Sequence, residues 1–358
     1  MADNLPNYDI KRTDLRVAAP LPAPFTIQIE PTRYCNLRCR FCMHSTRGTE
    51  QDLIKSSGFR LQHMDSALYE NLITQILDLP QPPKMINFCG IGEPLCNPQF
   101  SEIVKLLRKR GYDGRIITYT NGVLLNREWV DKLTDCGMTQ IRISVNGLSS
   151  KQMKQVTGVN VSMEKYLDNI RLLYENKSGV QIYVKTVDNI LENAGDRERF
   201  FAMFGDICDN MFVENLVSTQ QQMGDYNGFI DFHTSLFGER IQRRKVCACM
   251  FYQLHIDCEG DVFSCIALGK PRTDSIGNIR DSSLKDIWFG EKRLNLLRQN
   301  LTKGSESISL CEGCGAKYDI NTPEEILDEN ADEILKRLSL SKSLPKSLPM
   351  SLSKEVTL

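Results

Sequence analysis

Three cysteines close together in the first quarter of the chain are the residues best suited to chemistry. Cys35, Cys39 and Cys42 follow an apolar run at residues 25–29 that has the composition of a strand. Thiolates are soft ligands that bind iron and zinc strongly, and four ligands are the usual complement for either. Because this segment supplies three, a cluster here would keep one iron open for another molecule. The triplet therefore predicts a reactive iron–sulfur cluster, with a zinc knuckle as the alternative.

The spacing of this triplet, with Phe41 just before the third cysteine, resembles the radical S-adenosylmethionine (radical SAM) superfamily. The resemblance implies that Cys35, Cys39 and Cys42 hold a [4Fe–4S] cluster whose open iron chelates S-adenosylmethionine. It also implies that an electron from this cluster cleaves the sulfonium to give a 5′-deoxyadenosyl radical. Phe41 is then expected to pack near the adenine, although any core aromatic would look the same in sequence.

Later segments extend the resemblance along the chain. Gly92 and Glu93 belong to Gly90-Ile91-Gly92-Glu93-Pro94, which is similar to the family's Gly-Gly-Glu-Pro motif, with Ile91 where glycine is more frequent. The motif implies that Glu93 and the neighbouring backbone hold the methionyl amino group. Turns and a solvent-facing lysine are the ordinary alternatives for the other candidates. These candidates are Asn121, Ser144 and Asn146 near the ribose hydroxyls, and Lys185 at the methionyl carboxylate.

A second set of cysteines lies in the C-terminal part of the chain. Cys311 and Cys314 form a Cys-x2-Cys pair, and Cys247 and Cys265 precede it on either side of a predicted hairpin that turns at residues 259–261. Four cysteines are enough for a closed site, and zinc satisfies this count as well as an iron–sulfur cluster does. The order of cysteines and hairpin resembles the SPASM/twitch extension of radical SAM enzymes, in its shortened form with one auxiliary [4Fe–4S] cluster.

Cys249 and Cys258 each have a second reading. Cys249 could replace Cys247 as a ligand, although the family's spacing to Cys265 favours Cys247. Either Cys249 or Cys258 could instead be a free thiol that donates a hydrogen atom to a product radical. The other cysteines are expected to be small buried apolar side chains, and these are Cys89, Cys96, Cys136 and Cys208.

Alternating strand and helix patterns surround these motifs. The predicted strands are residues 25–29, 85–88, 115–119, 140–145, 180–187 and 211–213. Six strand–helix units in series imply a parallel sheet with right-handed crossovers. Functional residues in such sheets gather at the carboxyl ends of the strands. The predicted fold class is therefore α/β, as a partial (β/α)6 TIM-type barrel with a small C-terminal cysteine-rich domain of twitch/SPASM type.

These patterns divide the chain into five predicted regions. Thr322 as the cap, Pro323 at the first helical position and Glu325 at the third predict the start of a helix that ends near Arg337. The serine- and proline-rich tail cannot build a core and is predicted to be disordered. The regions are an N-terminal extension at 1–23, a radical SAM core at 24–230, a twitch/SPASM-like domain at 245–320, a C-terminal helix at 321–338 and the tail at 339–358.

The composition limits the partners and the compartment. The chain has 358 residues and a net charge of −1, which argues against binding to nucleic acid or an anionic membrane. No segment approaches the roughly 18 apolar residues of a membrane span, and the first residues lack the apolar core of a signal peptide. Thirteen cysteines without a secretion signal indicate metal binding in a reducing, cytoplasmic compartment.

The resemblance implies an enzyme that receives electrons from a carrier such as flavodoxin or ferredoxin. Enzymes with these extensions oxidise or epimerise sugars and aminocyclitols, or modify ribosomally made peptides by epimerisation or crosslinking. Peptide maturases often carry a leader-binding domain, for which the extension at 1–23 is too short, so a carbohydrate-like small molecule is the favoured substrate. A peptide substrate is the alternative, and a zinc-binding module without catalysis is the remote one.

Overall fold

One sheet of ten strands organises the part of the chain that the structure describes. This structure, a computed structural model, describes residues 2–6, 12–216, 234–266, 268–312, 314–318 and 322–340. The strands lie in the spatial order β1-β7-β6-β5-β4-β3-β2-β8-β9-β10. Their bounds are β1 Asp3–Asn4, β2 Thr26–Ile29, β3 Met85–Phe88, β4 Arg115–Thr120, β5 Gln140–Ser144, β6 Gln181–Val187, β7 Asn210–Glu214, β8 Gln253–Ile256, β9 Asp261–Phe263 and β10 Gly277–Asn278.

Helices connect the strands, and several begin where the sequence supplies a cap. Asp65, Asn126 and Ser149 accept bonds from the backbone at the starts of α3, α5 and α6. Gly158 ends α6 with a φ of 71°, which favours glycine. The helices are α1 Leu15–Ala18, α2 Leu53–Ser56, α3 Ser66–Leu77, α4 Phe100–Lys109, α5 Arg127–Asp135, α6 Ser150–Thr157, α7 Met163–Asn176, α8 Asp196–Phe204, α9 Cys249–Tyr252, α10 Leu284–Phe289, α11 Glu291–Lys303 and α12 Ala331–Leu340.

The strand pairing joins the two predicted domains into one sheet. Strand β2 pairs in parallel with β3 on one side and with β8 on the other, where Thr26 lies opposite Gln253. Strand β9 turns back antiparallel to β8, as the predicted hairpin requires. The α/β fold with a mostly parallel sheet and a C-terminal cysteine-rich region is thereby confirmed.

The two faces of the sheet differ in polarity. Ile27, Ile86 and Ile141 lie on the face covered by helices, in the main hydrophobic core. Because side chains alternate along a strand, the intervening residues share the opposite face. These residues form a polar face that is largely enclosed, and it includes Gln28, Glu30, Asn87, Arg142, Lys185, Glu214, Gln253, His255 and Asp257.

The C-terminal helix begins later than the sequence predicts. A 3-10 turn at Pro323–Glu325 and another at Asp328–Asn330 precede α12, which begins at Ala331 and extends to Leu340. Glu325 is buried in an ion pair with Arg12, so a distant partner fixes this segment instead of a helical turn. Residues 339 and 340 belong to α12 rather than to the predicted tail, whose remainder lies outside the described residues.

Candidate functional site

The cysteine triplet lies in the loop that follows β2. Burial raises the pKa of the Cys35 thiol to about 12 and also raises the pKa of Cys39 and Cys42. At Cys39 the neighbouring thiols of Cys42 and Cys35 raise the pKa further, so the structure brings the three side chains together. A cationic centre that coordinates thiols deprotonates them. The donor set therefore fits an iron–sulfur cluster, whose charge would offset this repulsion.

Backbone contacts with α6 and a guanidinium hold the triplet loop. Arg38 N donates to Thr157 O at 2.9 Å, which ties the loop to the last turn of α6. Arg47 donates from Nη1 to Cys35 O at 2.8 Å. Phe41, the candidate adenine contact, is half-buried between the second and third cysteines. Hydrogen bonds to other residues of the chain therefore hold the triplet loop in its conformation.

Gly92 brings the segment after β3 against the triplet loop. A Cβ atom at this position would lie 2.2 Å from Thr32 O and 2.7 Å from Tyr34 O, so only glycine fits. The next residue, Glu93, donates from its backbone N to Tyr34 O at 2.8 Å. The glycine motif and the triplet are therefore held together by direct backbone contact.

The Glu93 carboxylate is buried and joins this motif to the end of β4. It accepts hydrogen bonds from Thr120 Oγ1 at 2.7 Å, from Asn121 N at 2.7 Å and from Leu95 N at 3.1 Å. Burial raises the pKa of Glu93 to about 6, although these donors act in the opposite direction. The carboxylate can hold a proton or a cation beside the triplet near neutral pH.

Asn121, Ser144 and Asn146 lie at the carboxyl ends of their strands, on the same side of the sheet as the triplet. Asn121 donates from Nδ2 to Asn36 Oδ1 at 2.8 Å, and Asn36 lies within the triplet loop. Asn146 is buried just past β5, and its Nδ2 donates to Ser144 O at 3.4 Å. Three of the residues assigned to the ribose by resemblance therefore lie at the carboxyl ends of neighbouring strands.

Lys185 points into the polar face of the sheet and not outward to solvent. Its Nζ pairs with the buried Glu214 on β7 and lies 5.4 Å from the centre of the Tyr119 ring. Arg142 on β5 donates to the Tyr119 hydroxyl. The interior beside the motif thus contains two cations and one carboxylate, which can bind a charged or hydrogen-bonding ligand.

Ile91, the departure from the family motif, packs in a small apolar cluster. It contacts Met43, next to the third cysteine, and Ile54 of α2. Leu268, from the loop after Cys265, packs against the same cluster. The cluster therefore joins apolar side chains of the triplet loop, α2 and the C-terminal region, and Ile91 is one of its three buried members.

The second set of cysteines also comes together. Cys247 and Cys265 are buried, and a turn in which Cys314 N donates to Cys311 O at 3.1 Å presents the other pair. Burial raises the pKa of Cys311, and Cys265, Cys247 and Cys314 each raise it further. No three histidine, cysteine or acidic side chains in the described ranges are spaced for a single metal ion. Four thiols in one place fit a closed iron–sulfur site.

Cys249 and Cys258 are both buried and hydrogen-bonded within the protein. Cys249 donates from Sγ to Ala316 O at 3.7 Å. A hydrogen bond with Cys249 lowers the pKa of Cys247 to about 7, although burial opposes this. Cys258, in the hairpin turn, is hydrogen-bonded to Glu30. Each candidate hydrogen-atom donor therefore already has a polar partner.

A buried ion-pair cluster at the carboxyl ends of β2 and β8 was not predicted from the sequence. Arg33 lies 2.8 Å from Glu30, 2.6 Å from Asp257 and 2.5 Å from Glu259, measured between nitrogen and oxygen atoms. Its guanidinium also stacks over Phe59 at 4.5 Å. Burial raises the pKa of Asp257 to about 7. Charged residues placed directly after two neighbouring strands were the sequence signal for this cluster, which we call the Arg33 cluster.

The remaining cysteines divide into two groups. Cys136 and Cys208 are buried and donate to helix carbonyls, as predicted. Cys89 and Cys96 are only half-buried, so the prediction of two further core side chains was wrong. Cys96 lies near enough to raise the pKa of Cys35, and Cys89 lies on the polar face. The β3 motif places both cysteines at the site because they flank its glycines.

Comparisons with known proteins agree with this geometry. Residues 29–201 match the radical SAM superfamily, and residues 247–315 match the SPASM iron–sulfur cluster-binding domain. A relative from Pyrococcus furiosus, the tungsten-containing aldehyde ferredoxin oxidoreductase cofactor-modifying protein, is 27% identical over 74% of this chain and 81% of its own length. The AdoMet-dependent heme synthase of Methanosarcina barkeri is 23% identical over 86% of this chain and 95% of its own length.

A solved structure shares the fold. BtrN in complex with AdoMet and 2-DOIA superposes with a TM-score of 0.53 and 18% identity, over 83% of this chain and 96% of BtrN.

Within the described residues, every helix is too short or too polar to cross a bilayer. The two matched domains imply [4Fe–4S] clusters and S-adenosylmethionine as cofactors. The chain belongs to the radical SAM superfamily and carries a C-terminal SPASM domain.

Proposed function

We propose that this protein is a radical SAM oxidoreductase that removes hydrogen from a C–H bond of a small polar molecule, with a sugar or aminocyclitol as the substrate class. The polar face of the sheet carries this proposal. Arg142, Lys185 and Glu214 line one part of that face, and His255 and Asp257 line another. Enclosed hydrogen-bonding groups of both charges suit a ligand rich in hydroxyl or amino groups.

In this proposal Cys35, Cys39 and Cys42 hold the cluster that binds S-adenosylmethionine. When the cluster and S-adenosylmethionine are bound, together they would supply a 5′-deoxyadenosyl radical for the removal of a hydrogen atom from the substrate. The residues of the chain orient that chemistry. They are Glu93 and the Gly92 backbone at the methionyl amino group, Lys185 at the methionyl carboxylate, Asn121, Ser144 and Asn146 at the ribose, and Phe41 at the adenine.

Cys247, Cys265, Cys311 and Cys314 hold the auxiliary cluster, whose chemistry is to accept one electron. A secondary alcohol that has lost hydrogen from carbon becomes a carbonyl when it also loses its hydroxyl proton and one electron. In this proposal a buried carboxylate of the polar face, Glu214 or Asp257, accepts this proton. Atoms and electrons then balance within the protein and its cofactors.

The environments of two cysteines favour dehydrogenation over epimerisation. An epimerase needs a thiol that returns a hydrogen atom to the substrate radical. Cys258 is hydrogen-bonded to Glu30, and Cys249 is hydrogen-bonded to Ala316 O, so neither thiol is held ready for this task. The similarity to proteins named for modifying a cofactor and for making heme favours a small molecule over a peptide.

The electron donor we propose is a small acidic carrier such as flavodoxin or ferredoxin in the cytoplasm. Arg38 within the triplet loop is exposed, and so is Lys55 on α2, which packs against the residue after the third cysteine. Their positive charge, in a chain with a net charge of −1, is suited to an acidic partner.

The test is a product assay on anaerobically reconstituted protein, with S-adenosylmethionine, reductant and panels of sugars, aminocyclitols and peptides in deuterated water. Formation of 5′-deoxyadenosine with a new carbonyl supports the proposal. Deuterium at a substrate carbon would indicate epimerisation, and reaction of peptides alone would indicate a maturase. A Cys311→Ala/Cys314→Ala variant should still form 5′-deoxyadenosine but lose the carbonyl product. Zinc without sulfide in the purified protein would contradict the proposal.

A further inference from the structure

The amide of one buried side chain on α11 holds the backbone of Cys247. Cys247 N donates to Asn300 Oδ1 at 3.0 Å, and Asn300 Nδ2 donates to Cys247 O at 2.9 Å. Asn300 is fully buried. Both polar backbone groups of one residue are satisfied by the two ends of one amide, so the orientation of Cys247 is fixed as well as its position.

A second side chain of α11 holds the other end of the same segment. Arg293 lies about two helical turns before Asn300, and its Nη2 donates to Met250 O at 3.0 Å. Its guanidinium stacks 3.4 Å from the centre of the Trp288 ring and donates to Trp288 O at 3.0 Å. Hydrogen bonds from two side chains of α11 therefore hold the backbone of residues 247–250 at both ends.

The two cysteines of the segment have different further partners. The Cys247 thiol is close enough to Cys311 to interact with it electrostatically, as are the thiols of Cys265 and Cys314. The Cys249 thiol donates to Ala316 O at 3.7 Å and is hydrogen-bonded to Cys247. A rotation of this segment would turn the Cys247 thiol away from Cys311 and bring Cys249 in its place. The hydrogen bonds from Asn300 to the Cys247 backbone oppose such a rotation.

We propose that Asn300 is a positioning residue for the auxiliary cluster, and that its grip on the Cys247 backbone makes Cys247, and not Cys249, the fourth ligand. Side chains that orient metal ligands without touching the metal contribute about 10- to 100-fold to metal affinity. Cys249 then stays behind the ligand as a thiol hydrogen-bonded to Cys247. This inference needs the auxiliary cluster but does not depend on the substrate.

The experiment isolates the auxiliary cluster by using the full chain with Cys35, Cys39 and Cys42 all changed to alanine. In this background we compare Asn300→Leu, Asn300→Asp, Cys247→Ser and Cys249→Ser. Asn295→Leu, an exposed asparagine on the same helix, is the matched control. Iron and sulfide per chain, the electron paramagnetic resonance spectrum of the reduced cluster and its midpoint potential are measured, with circular dichroism as the check on folding.

We expect Asn300→Leu and Cys247→Ser to lose the cluster or bind iron about 10- to 100-fold more weakly. Asn300→Asp, which keeps only the acceptor, should keep iron but shift the potential and the spectrum. Cys249→Ser and Asn295→Leu should keep full iron. Full iron with an unchanged spectrum and potential in both Asn300 variants, or loss of iron in Cys249→Ser but not in Cys247→Ser, would overturn the proposal. The chemistry of S-adenosylmethionine is absent from this background, so failure of the proposed function is scored separately.

Discussion

Replacement of Arg33 by methionine should strongly destabilise the protein, because it removes the cation from the centre of the Arg33 cluster. The Arg33 side chain is 1% exposed, and those of Glu30 and Asp257 are 3% and 6% exposed. Methionine has a similar reach and fills much of the same volume, so the main change is the lost charge and its hydrogen bonds. Breaking a buried ion pair by removing one partner costs about 3–5 kcal/mol. That is a large part of a total stability of about 5–15 kcal/mol.

The control uses the same acidic partner at the surface. Arg60 pairs with Glu259 at 3.3 Å, but its side chain is 78% exposed. Exposed pairs contribute about 0–1 kcal/mol, so Arg60→Met should unfold almost like the wild type. Arg33→Lys keeps the charge but cannot reach three carboxylates at once, and it should fall between the two.

The assay is anaerobic denaturant unfolding of the reconstituted proteins, followed by the fluorescence of the buried Trp288. The shift in midpoint multiplied by the slope gives the change in the free energy of unfolding. A loss of less than about 1 kcal/mol in Arg33→Met would refute the reasoning, because the cluster would then behave like a surface pair. Equal losses in Arg33→Met and Arg60→Met would refute it as well.

Three further predictions concern single positions. Burial raises the pKa of Asp257 to about 7, above the value of about 3.9 in an unfolded chain, so the folded state holds the extra proton between these values and loses stability as pH rises. The stability of Asp257→Asn relative to the wild type should therefore increase from about pH 4 to about pH 7, and a constant or opposite difference in unfolding free energy would contradict this. In Gly92→Ala the new Cβ would lie 2.2 Å from Thr32 O and should displace the triplet loop. The variant should therefore lose the iron held by the cysteine triplet and keep the iron of the auxiliary cluster. Gly195→Ala, with nothing within 4 Å, should keep all its iron, and so would Gly92→Ala if the loop tolerated the methyl group. Cys136→Ala should keep all iron and lose about 1 kcal/mol of unfolding free energy, which iron analysis and denaturant unfolding would check.

Local patterns predicted the sheet well because its strands are short apolar runs between turn signals. The strand predicted at residues 85–88 matches Met85–Phe88, and the one predicted at 140–145 differs by one residue from Gln140–Ser144. The start of α12 could not be predicted in this way. Thr322 and Pro323 are good helix-starting residues, but the ion pair of Glu325 with Arg12, 313 residues away, determines the local conformation.

In the candidate site, too, local patterns in the sequence pointed to some residues, and residues that act through distant partners were missed. Spacing and family resemblance singled out both cysteine sets, because ligands to one cluster must have fixed residue types, and the ligand roles of the individual cysteines stay predictions. The Arg33 cluster could not be found in this way, since Arg33 and Asp257 are 224 residues apart and each alone resembles a surface charge. Asn300 was equally hidden, because its role depends on backbone groups 53 residues away and not on any neighbour in sequence.

The pairing of β8 with β2 has a consequence for how the chain is made. Strand β2 leaves the ribosome long before its second neighbour, β8, because strands β3 to β7 lie between them in the chain. Until then one edge of β2 presents unpaired backbone groups, which are a template for association with other chains. An exposed edge of the radical SAM half therefore persists during synthesis, until β8 of the SPASM domain pairs with it and completes the sheet.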